Sequence, residues 1–256
     1  MTAPLLEVSD LVVRFGHHEA VRGVSFAMGR ERLGIVGESG SGKSLTGRAI
    51  LRLLPPGAAL QATRLAFAGI DLLAAGEDEM RALRGRRMAL VLQDPKFSLN
   101  PLIPVGRQIA ESCRAHRRAS AAEAHERAIA MLEAVHIREP RRVYDLYPDE
   151  VSGGMGQRAM IAMMLAGDPD LLIADEPTSA LDVTVQAQVL SVLDEQVSRR
   201  GMGLVLISHD LDLVASFCDR VLVMEQGRIV EQGTHASLVA AGGLYARLAR
   251  LQFEGV

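Results

Sequence analysis

The chain has 256 residues, of which 48% are hydrophobic, and a formal net charge of −3. This length and composition predict a sizeable core, in one large domain or one domain with a subdomain, and no segment is polar enough to indicate disorder. The net charge gives no case for a nucleic acid or an anionic membrane surface as the partner.

The terminus and the cysteines indicate a protein of the cytosol. Residues 1–10 lack the basic and apolar regions of a secretory signal. The longest apolar stretch, residues 159–166, is less than half of the roughly 20 residues that a membrane helix needs. Cys113 and Cys218 lie far apart and outside any CxxC pair, which favours buried thiols over a disulfide or a metal site.

The predicted strands begin with residues 5–15, which alternate between apolar and polar, and residues 21–29 are predicted to pair with them. Short apolar runs typical of buried parallel strands follow at 33–37, 89–93, 171–175 and 204–208. The last two runs, RVLVME and RIVEQG, meet at Gln226-Gly227 and predict a hairpin.

The predicted helices lie between these strands. Ser120 followed by Glu123 forms a capping-box pattern at the start of one helix, and residues 182–198 carry apolar positions at helical spacing. The segment from about 95 to 165 is mostly helical and interrupts the strands. The sequence therefore predicts an α/β fold: a core with a parallel sheet, an N-terminal antiparallel β subdomain and a helical subdomain.

The boundaries that we expect follow from this pattern. Residues 1–256 are predicted to form a single domain. Its core and β subdomain are expected in 1–93 and 168–256, and its helical subdomain in about 94–167.

The stretch GESGSGKS follows the apolar run LGIV and precedes a helical pattern, and it matches the P-loop motif at every fixed position. Glycines let the backbone N–H groups face phosphates, a lysine reaches the β- and γ-phosphates, and a serine hydroxyl binds Mg²⁺. The motif predicts a nucleoside triphosphate site formed by Gly37, Glu38, Ser39, Gly40, Ser41, Gly42, Lys43 and Ser44.

Polar residues end three of the other predicted strands. Asp175 suits the Mg²⁺ shell, and the adjacent Glu176 is free to polarise an attacking water. His209 is placed to bond the γ-phosphate, and Gln93 ends a further strand. Ligands of open parallel sheets bind beyond the carboxyl ends of the strands, so these side chains are expected to meet the triphosphate of one hydrolase site.

A second glycine-rich stretch, Ser152-Gly153-Gly154, opens the helical run MGQRAMIAMMLAG and forms another anion-binding helix start. It resembles the signature motif of the ATP-binding cassette (ABC) ATPases. In that family two cassettes pair head to tail, and the signature of one closes over ATP held by the P-loop of the other. The resemblance therefore implies a dimer with ATP at its interface.

The resemblance covers nearly the whole chain and assigns further residues. Phe15 matches an aromatic residue that stacks on adenine, and His209 matches the switch histidine. Gln93 matches the loop that senses the γ-phosphate and couples to the membrane subunit, and with Ser44 and Asp175 it is a candidate Mg²⁺ ligand. The stretch SALD, which ends at Asp182, matches the loop that links the two cassettes. The signature differs from the commoner LSGGQ at Val151 and Met155, but the serine and glycines that would hold phosphate are present.

The subfamily is indicated by three longer stretches, at 93–101, 147–158 and 174–190, which resemble the ATPases of peptide and nickel importers. The short tail, with GGLYARLARLQ near its end, is similar to the nickel-type members. It favours uptake of metal or metal chelate slightly over uptake of peptides, and both alternatives stay open. The two cysteines are too few for the iron–sulfur cluster that some peptide-importer cassettes hold.

The resemblance also implies the partners. We expect a second ATPase subunit, identical or, more in keeping with the relatives, different; integral membrane permease subunits; and, indirectly, a solute-binding protein outside the membrane. The chain would sit peripherally on the cytoplasmic face of the inner membrane, with no nucleic acid bound. The alternative is a soluble ABC ATPase of DNA repair or translation, but the coiled-coil insertions or the second fused cassette of those proteins do not fit in 256 residues.

Overall fold

The computed structural model of the protein describes residues 3–92, 98–117, 119–179 and 181–253. The described residues fall into two compact units. One unit lies within residues 1–80 and 203–256, and the other within residues 81–202. Both units contain strands and helices.

The strands are β1 (Leu6–Phe15), β2 (His18–Met28), β3 (Arg32–Val36), β4 (Ala58–Gln61), β5 (Arg64–Phe67), β6 (Ile70–Asp71), β7 (Met88–Val91), β8 (Leu171–Asp175), β9 (Gly203–Ile207), β10 (Arg220–Glu225) and β11 (Arg228–Gly233). The helices are α1 (Lys43–Ile50), α2 (Glu77–Leu83), α3 (Val105–Arg117), α4 (Ala121–Ala134), α5 (Pro140–Tyr144), α6 (Gly153–Leu165), α7 (Val183–Arg200), α8 (Leu211–Phe217), α9 (His235–Ala241) and α10 (Leu244–Phe253). A short 3-10 helix, Pro148–Glu150, precedes α6.

An antiparallel sheet in the first unit is built around β1, which pairs with β2, β4 and β5. The buried positions of β1 are Leu6 and Val8, then Leu11 and Val13, so the alternation skips one residue. Asp10 has a φ of 50° at this point, and the register with β2 shifts there. An irregularity of this kind, a β-bulge, keeps apolar residues on the core face on both sides of the break.

The parallel strands of the first unit are β10, β3 and β9, and β11 pairs with β10 in the antiparallel direction. Every residue of β9 is buried, as expected for a strand covered on both faces. The β10–β11 turn places Gln226 and Gly227 at φ values of 47° and 82°, as in a hairpin turn of type I′. The hairpin predicted at these two residues is therefore confirmed.

The second unit pairs β7 with β8 in parallel and contains α3 to α7. The start of α4 carries the predicted capping box: the Ser120 hydroxyl accepts the Glu123 N–H, and the Glu123 carboxylate accepts the Ser120 N–H. Cys113 is buried and free, as predicted, and in the first unit the free Cys218 is half-buried. None of the described helices is long and apolar enough to cross a membrane.

The predicted α/β fold, with parallel strands, an N-terminal antiparallel sheet and a helical segment, is confirmed. Three short strands between residues 58 and 71 and helix α2 were not among the predicted elements. The predicted strand at 89–93 is β7, which ends at Val91. The subdomain boundaries expected near 93/94 and 167/168 stay a prediction.

Candidate functional site

The P-loop lies between β3 and α1 in the first unit, as predicted. Gly37, Gly40 and Gly42 have φ values of 144°, 80° and 95°, a region that side chains rarely adopt. A Cβ on Gly37 would lie 2.1 Å from the carbonyl oxygen of Met224, and one on Gly42 would lie 2.8 Å from that of Ala20. Gly37 and Gly42 therefore cannot be replaced by another residue without a shift of the backbone.

Lys43, the first residue of α1, is 6% exposed. Its Nζ donates to the carbonyl oxygens of Gly37 and Glu38, each at 2.8 Å, so the ammonium group lies against its own loop. Gly42 provides no side-chain cap for α1, and the first turn of the helix contains no acidic residue. The loop thus combines a buried cation with an uncapped helix N-terminus, an arrangement that attracts an anion.

Ser41 gives a direct test of whether a phosphate group fits this loop. Its Oγ is buried and has no hydrogen-bond partner among the described residues. Buried polar atoms are nearly always paired, so the unpaired hydroxyl close to Lys43 in the chain fits a loop that donates to phosphate oxygens. The backbone around it is held in place, because the Ser41 carbonyl accepts the N–H of Gly227 at 3.1 Å.

Two further predicted residues lie in the same unit. Phe15 ends β1, is half-buried and is paired with His18 and Ala58 of the neighbouring strands. His209 follows β9 and has an exposed side chain. Its carbonyl oxygen accepts a hydrogen bond from Gln252 Nε2 at 2.8 Å.

The acidic pair lies at the end of β8 in the second unit. Asp175 is 5% exposed and Glu176 is half-buried. Glu176 has a φ of 49°, an uncommon value for a non-glycine residue and one that is often found at functional sites. The Ser179 hydroxyl donates to the Glu176 carbonyl at 3.2 Å and closes the turn.

The signature residues also lie in the second unit, at the start of α6. Ser152 is the N-cap, and its Oγ accepts the Met155 N–H at 3.3 Å. Ser152 and Gly153 are exposed, while Gly154 is buried. A Cβ on Gly154 would lie 2.3 Å from Val185 Cγ1, so glycine lets α6 begin directly against α7.

Asp182 caps α7, since its carboxylate accepts the Val185 N–H at 3.1 Å. Asp182 thus caps a helix, in addition to the role in the loop between two cassettes that the resemblance implies. Gln93 and Ala180, and with them part of the predicted coupling and linking loops, lie outside the described residues.

Two glutamines that have no role predicted from the sequence contact site residues in the structure. Gln157 donates from Nε2 to the Pro177 carbonyl at 2.5 Å, next to Glu176. Gln252 bonds both His209 and Leu211. In each case the partners are distant in the chain, so neither pattern nor spacing indicates them.

The candidate Mg²⁺ donors within the described residues are the Ser44 hydroxyl and the Asp175 carboxylate. Hard oxygen donors such as these suit Mg²⁺, which usually keeps several waters and takes further ligands from substrate phosphates. Within the described part of the chain, no group of three or more His, Cys, Asp or Glu could hold a metal ion by itself. Each of the two donors suits a Mg²⁺ ion that is bound together with a nucleotide, and their joint role stays a prediction.

The fold and these loops define a P-loop nucleotide-binding protein. The ABC transporter family matches residues 21–179. The chain is 51% identical to the probable peptide ABC transporter ATP-binding protein y4tR of Sinorhizobium fredii over 92% of this chain and 72% of the relative. It is 47% identical to the oligopeptide transport ATP-binding protein OppD of Bacillus subtilis over 90% of this chain and 66% of that one.

A solved structure supports the same conclusion. The dimeric, post-hydrolysis structure of the ATP-binding cassette MJ0796 bound to ADP and Pi matches with a TM-score of 0.77 and 25% identity, over 90% of this chain and 98% of the other. The chain belongs to the ABC transporter family. It is an ATPase whose hydrolysis of ATP is coupled to transport, as the motifs predicted.

Proposed function

We propose that this chain is the ATP-hydrolysing subunit of an importer that takes up di- or oligopeptides. The observation that carries the proposal is the 51% identity, over 92% of the chain, to a relative named as a peptide transporter protein. OppD of Bacillus subtilis, at 47% identity, also bears an oligopeptide name. Two relatives that match nine-tenths of the chain are a stronger guide to the substrate than the segment GGLYARLARLQ, which favours metal or metal chelate.

In this proposal the P-loop holds the phosphates of ATP. The ammonium group of Lys43 exchanges the carbonyls of Gly37 and Glu38 for phosphate oxygens, and the helix N-terminus of α1 adds its partial positive charge. Phe15 stacks on the adenine. Ser41, with its unpaired hydroxyl, provides a further donor.

The proposed hydrolysis uses the side chains of Glu176 and His209. Glu176 accepts a proton from the attacking water, and His209 bonds the γ-phosphate and helps to fix that water. Ser44, Asp175 and Gln93 are the proposed Mg²⁺ ligands. When bound, Mg²⁺ would neutralise the charge that develops on the phosphates.

We propose that the working unit is a head-to-tail pair of cassettes. The exposed start of α6, at Ser152 and Gly153, would bind ATP held by the P-loop of the second cassette, and Asp182 would belong to the loop between them. Exposure supports this arrangement, since both residues are accessible to a partner. The second cassette is proposed to be a different chain.

The permease is proposed to dock on a groove in the second unit. This groove, of about 520 Å³, is lined by Leu99, Pro101, Pro148 and Val151 and extends to the signature residues. The adjoining Leu102 is 83% exposed, an unusual position for a large apolar side chain. A cytoplasmic helix of the permease would cover the groove and Leu102. The chain would then lie peripherally on the inner membrane, and a solute-binding protein would act on the other side of that membrane.

The test is uptake in cells that lack this protein, restored with the wild type or with Glu176→Gln. A labelled short peptide and labelled nickel are followed in parallel. We expect peptide uptake to be lost in the deletion and restored by the wild type alone. Restoration of nickel uptake instead would establish the metal alternative. If uptake of neither solute depends on the protein, the proposed substrate class fails, and an ABC ATPase with a different cargo remains.

A further inference from the structure

The C-terminal helix α10 reaches the turn that carries His209. The side-chain amide of Gln252 makes two hydrogen bonds there: Nε2 donates to the His209 carbonyl oxygen at 2.8 Å, and Oε1 accepts the Leu211 N–H at 2.9 Å. A single amide thus bridges the peptide groups on either side of Asp210.

These two bonds restrain the backbone from which the imidazole of His209 projects. The carbonyl of His209 belongs to the peptide plane that follows its Cα, so a hydrogen bond to that oxygen restrains ψ of His209 and with it the direction of the Cα–Cβ bond. Other contacts hold the rest of the turn: Asp210 caps α8 through Leu213 N at 3.0 Å, and its own N–H donates to Ser208 Oγ at 3.0 Å. The two Gln252 bonds add a contact to this turn from helix α10, outside the β9–α8 segment.

The helix that carries Gln252 is anchored independently at its other end. The Glu231 carboxylate accepts the N–H groups of Leu244 and Tyr245, at 2.5 and 3.1 Å. Tyr245 is fully buried, and its hydroxyl lies 2.9 Å from His235 Nδ1. Gln252 therefore acts from a fixed helix.

We infer that Gln252 is a positioning residue for ATP hydrolysis, which orients His209 toward the γ-phosphate. The inference rests on the role of His209 in the proposed function. The side chain of Gln252 is exposed, so we expect its replacement to change the stability of the fold little. Its two hydrogen bonds nevertheless restrain the backbone of the turn that carries His209. The interaction gives helix α10 a part in catalysis.

The experiment measures kcat and KM for ATP in the transporter complex reconstituted with wild type or with Gln252→Met, which keeps the length and helix preference of the side chain but makes neither bond. We expect kcat to fall about two- to tenfold, with KM and the melting temperature unchanged. Gln252→Glu keeps the acceptor for Leu211 N–H but sets a carboxylate against the His209 carbonyl, and we expect a loss at least as large. The matched control is Leu251→Ala, a neighbouring position that is 74% exposed.

A double variant separates positioning from a general structural effect. If Gln252 acts through His209, adding Gln252→Met to His209→Ala lowers kcat no further than His209→Ala alone. An unchanged kcat in Gln252→Met, or a loss explained by a lower melting temperature, overturns the inference while the role of His209 stands. Full turnover in His209→Ala instead overturns the proposed role of His209 and the inference with it.

Discussion

Gln157 donates a hydrogen bond from Nε2 to the carbonyl oxygen of Pro177 at 2.5 Å, and so connects the signature helix to the turn that follows the acidic pair. The side chain is fully buried, and its Oε1 has no partner among the described residues. In the proposed head-to-tail dimer, the signature and the acidic turn of one chain would serve different ATP molecules. The Gln157 bond would then physically connect residues of two sites.

Gln157→Leu should lower the stability of the chain modestly. The Pro177 carbonyl loses its donor, which costs about 1–3 kcal/mol, while removal of the unpaired Oε1 offsets part of that cost, so we expect a net loss of about 1 kcal/mol. Urea unfolding measures it as a shift of the midpoint. The control is Gln188→Leu at an exposed position of α7, where we expect a change within about 0.5 kcal/mol. A more stable Gln157→Leu chain would contradict the importance of the bond.

Gly37→Ala should destabilise the chain more than Gly57→Ala. Both glycines have positive φ, 144° and 83°, but a Cβ on Gly37 meets the Met224 carbonyl at 2.1 Å, while a Cβ on Gly57 meets nothing within 4 Å. We expect Gly57→Ala to lower the free energy of unfolding by about 1 kcal/mol, from backbone strain alone. Gly37→Ala is expected to lower it by at least about 3 kcal/mol. Thermal unfolding of the two variants tests the difference, and equal melting temperatures would show that the loop relaxes at little cost.

Much of this site could be predicted from the sequence because its parts are local. The P-loop, the acidic pair and the start of α6 are contiguous segments, and each follows or opens an element with a clear apolar pattern. The strands between residues 58 and 71 were missed because they are only two to four residues long, too short for a periodic signal. The bonds of Gln157 and Gln252 join residues 20 and 43 positions apart, and tertiary packing rather than sequence pattern brings these pairs together.

Ser152→Arg should separate binding from hydrolysis. Ser152 is exposed and lies apart in sequence from the P-loop, so the isolated chain is expected to bind ATP normally, with a loss of about 1 kcal/mol in stability from the missing helix cap. In the assembled complex a long cation would obstruct the ATP of the partner cassette, and hydrolysis should be abolished. Nucleotide titration and an ATPase assay measure the two effects. The control is Ser191→Arg on the exposed face of α7, and normal hydrolysis by the Ser152→Arg complex would refute the proposed dimer.

Leu102→Asp should weaken association with the permease. A charge in place of an 83% exposed leucine opposes burial against an apolar partner, while ATP binding by the chain is expected to be unchanged. Copurification with the permease subunits measures the loss. Leu251→Asp, at another exposed leucine, is the control, and full copurification of the Leu102→Asp chain would remove the groove as the docking surface.

The most direct test of the account compares ATP binding and ATP turnover in the complex carrying Glu176→Gln. The substitution keeps the size of the side chain and removes the carboxylate that is proposed to accept the proton from water. We predict unchanged ATP affinity and turnover at least about 100-fold lower, the range expected for loss of a general base. Turnover equal to that of the wild type would contradict the assignment of Glu176 and, with it, the mechanism proposed for this ATPase.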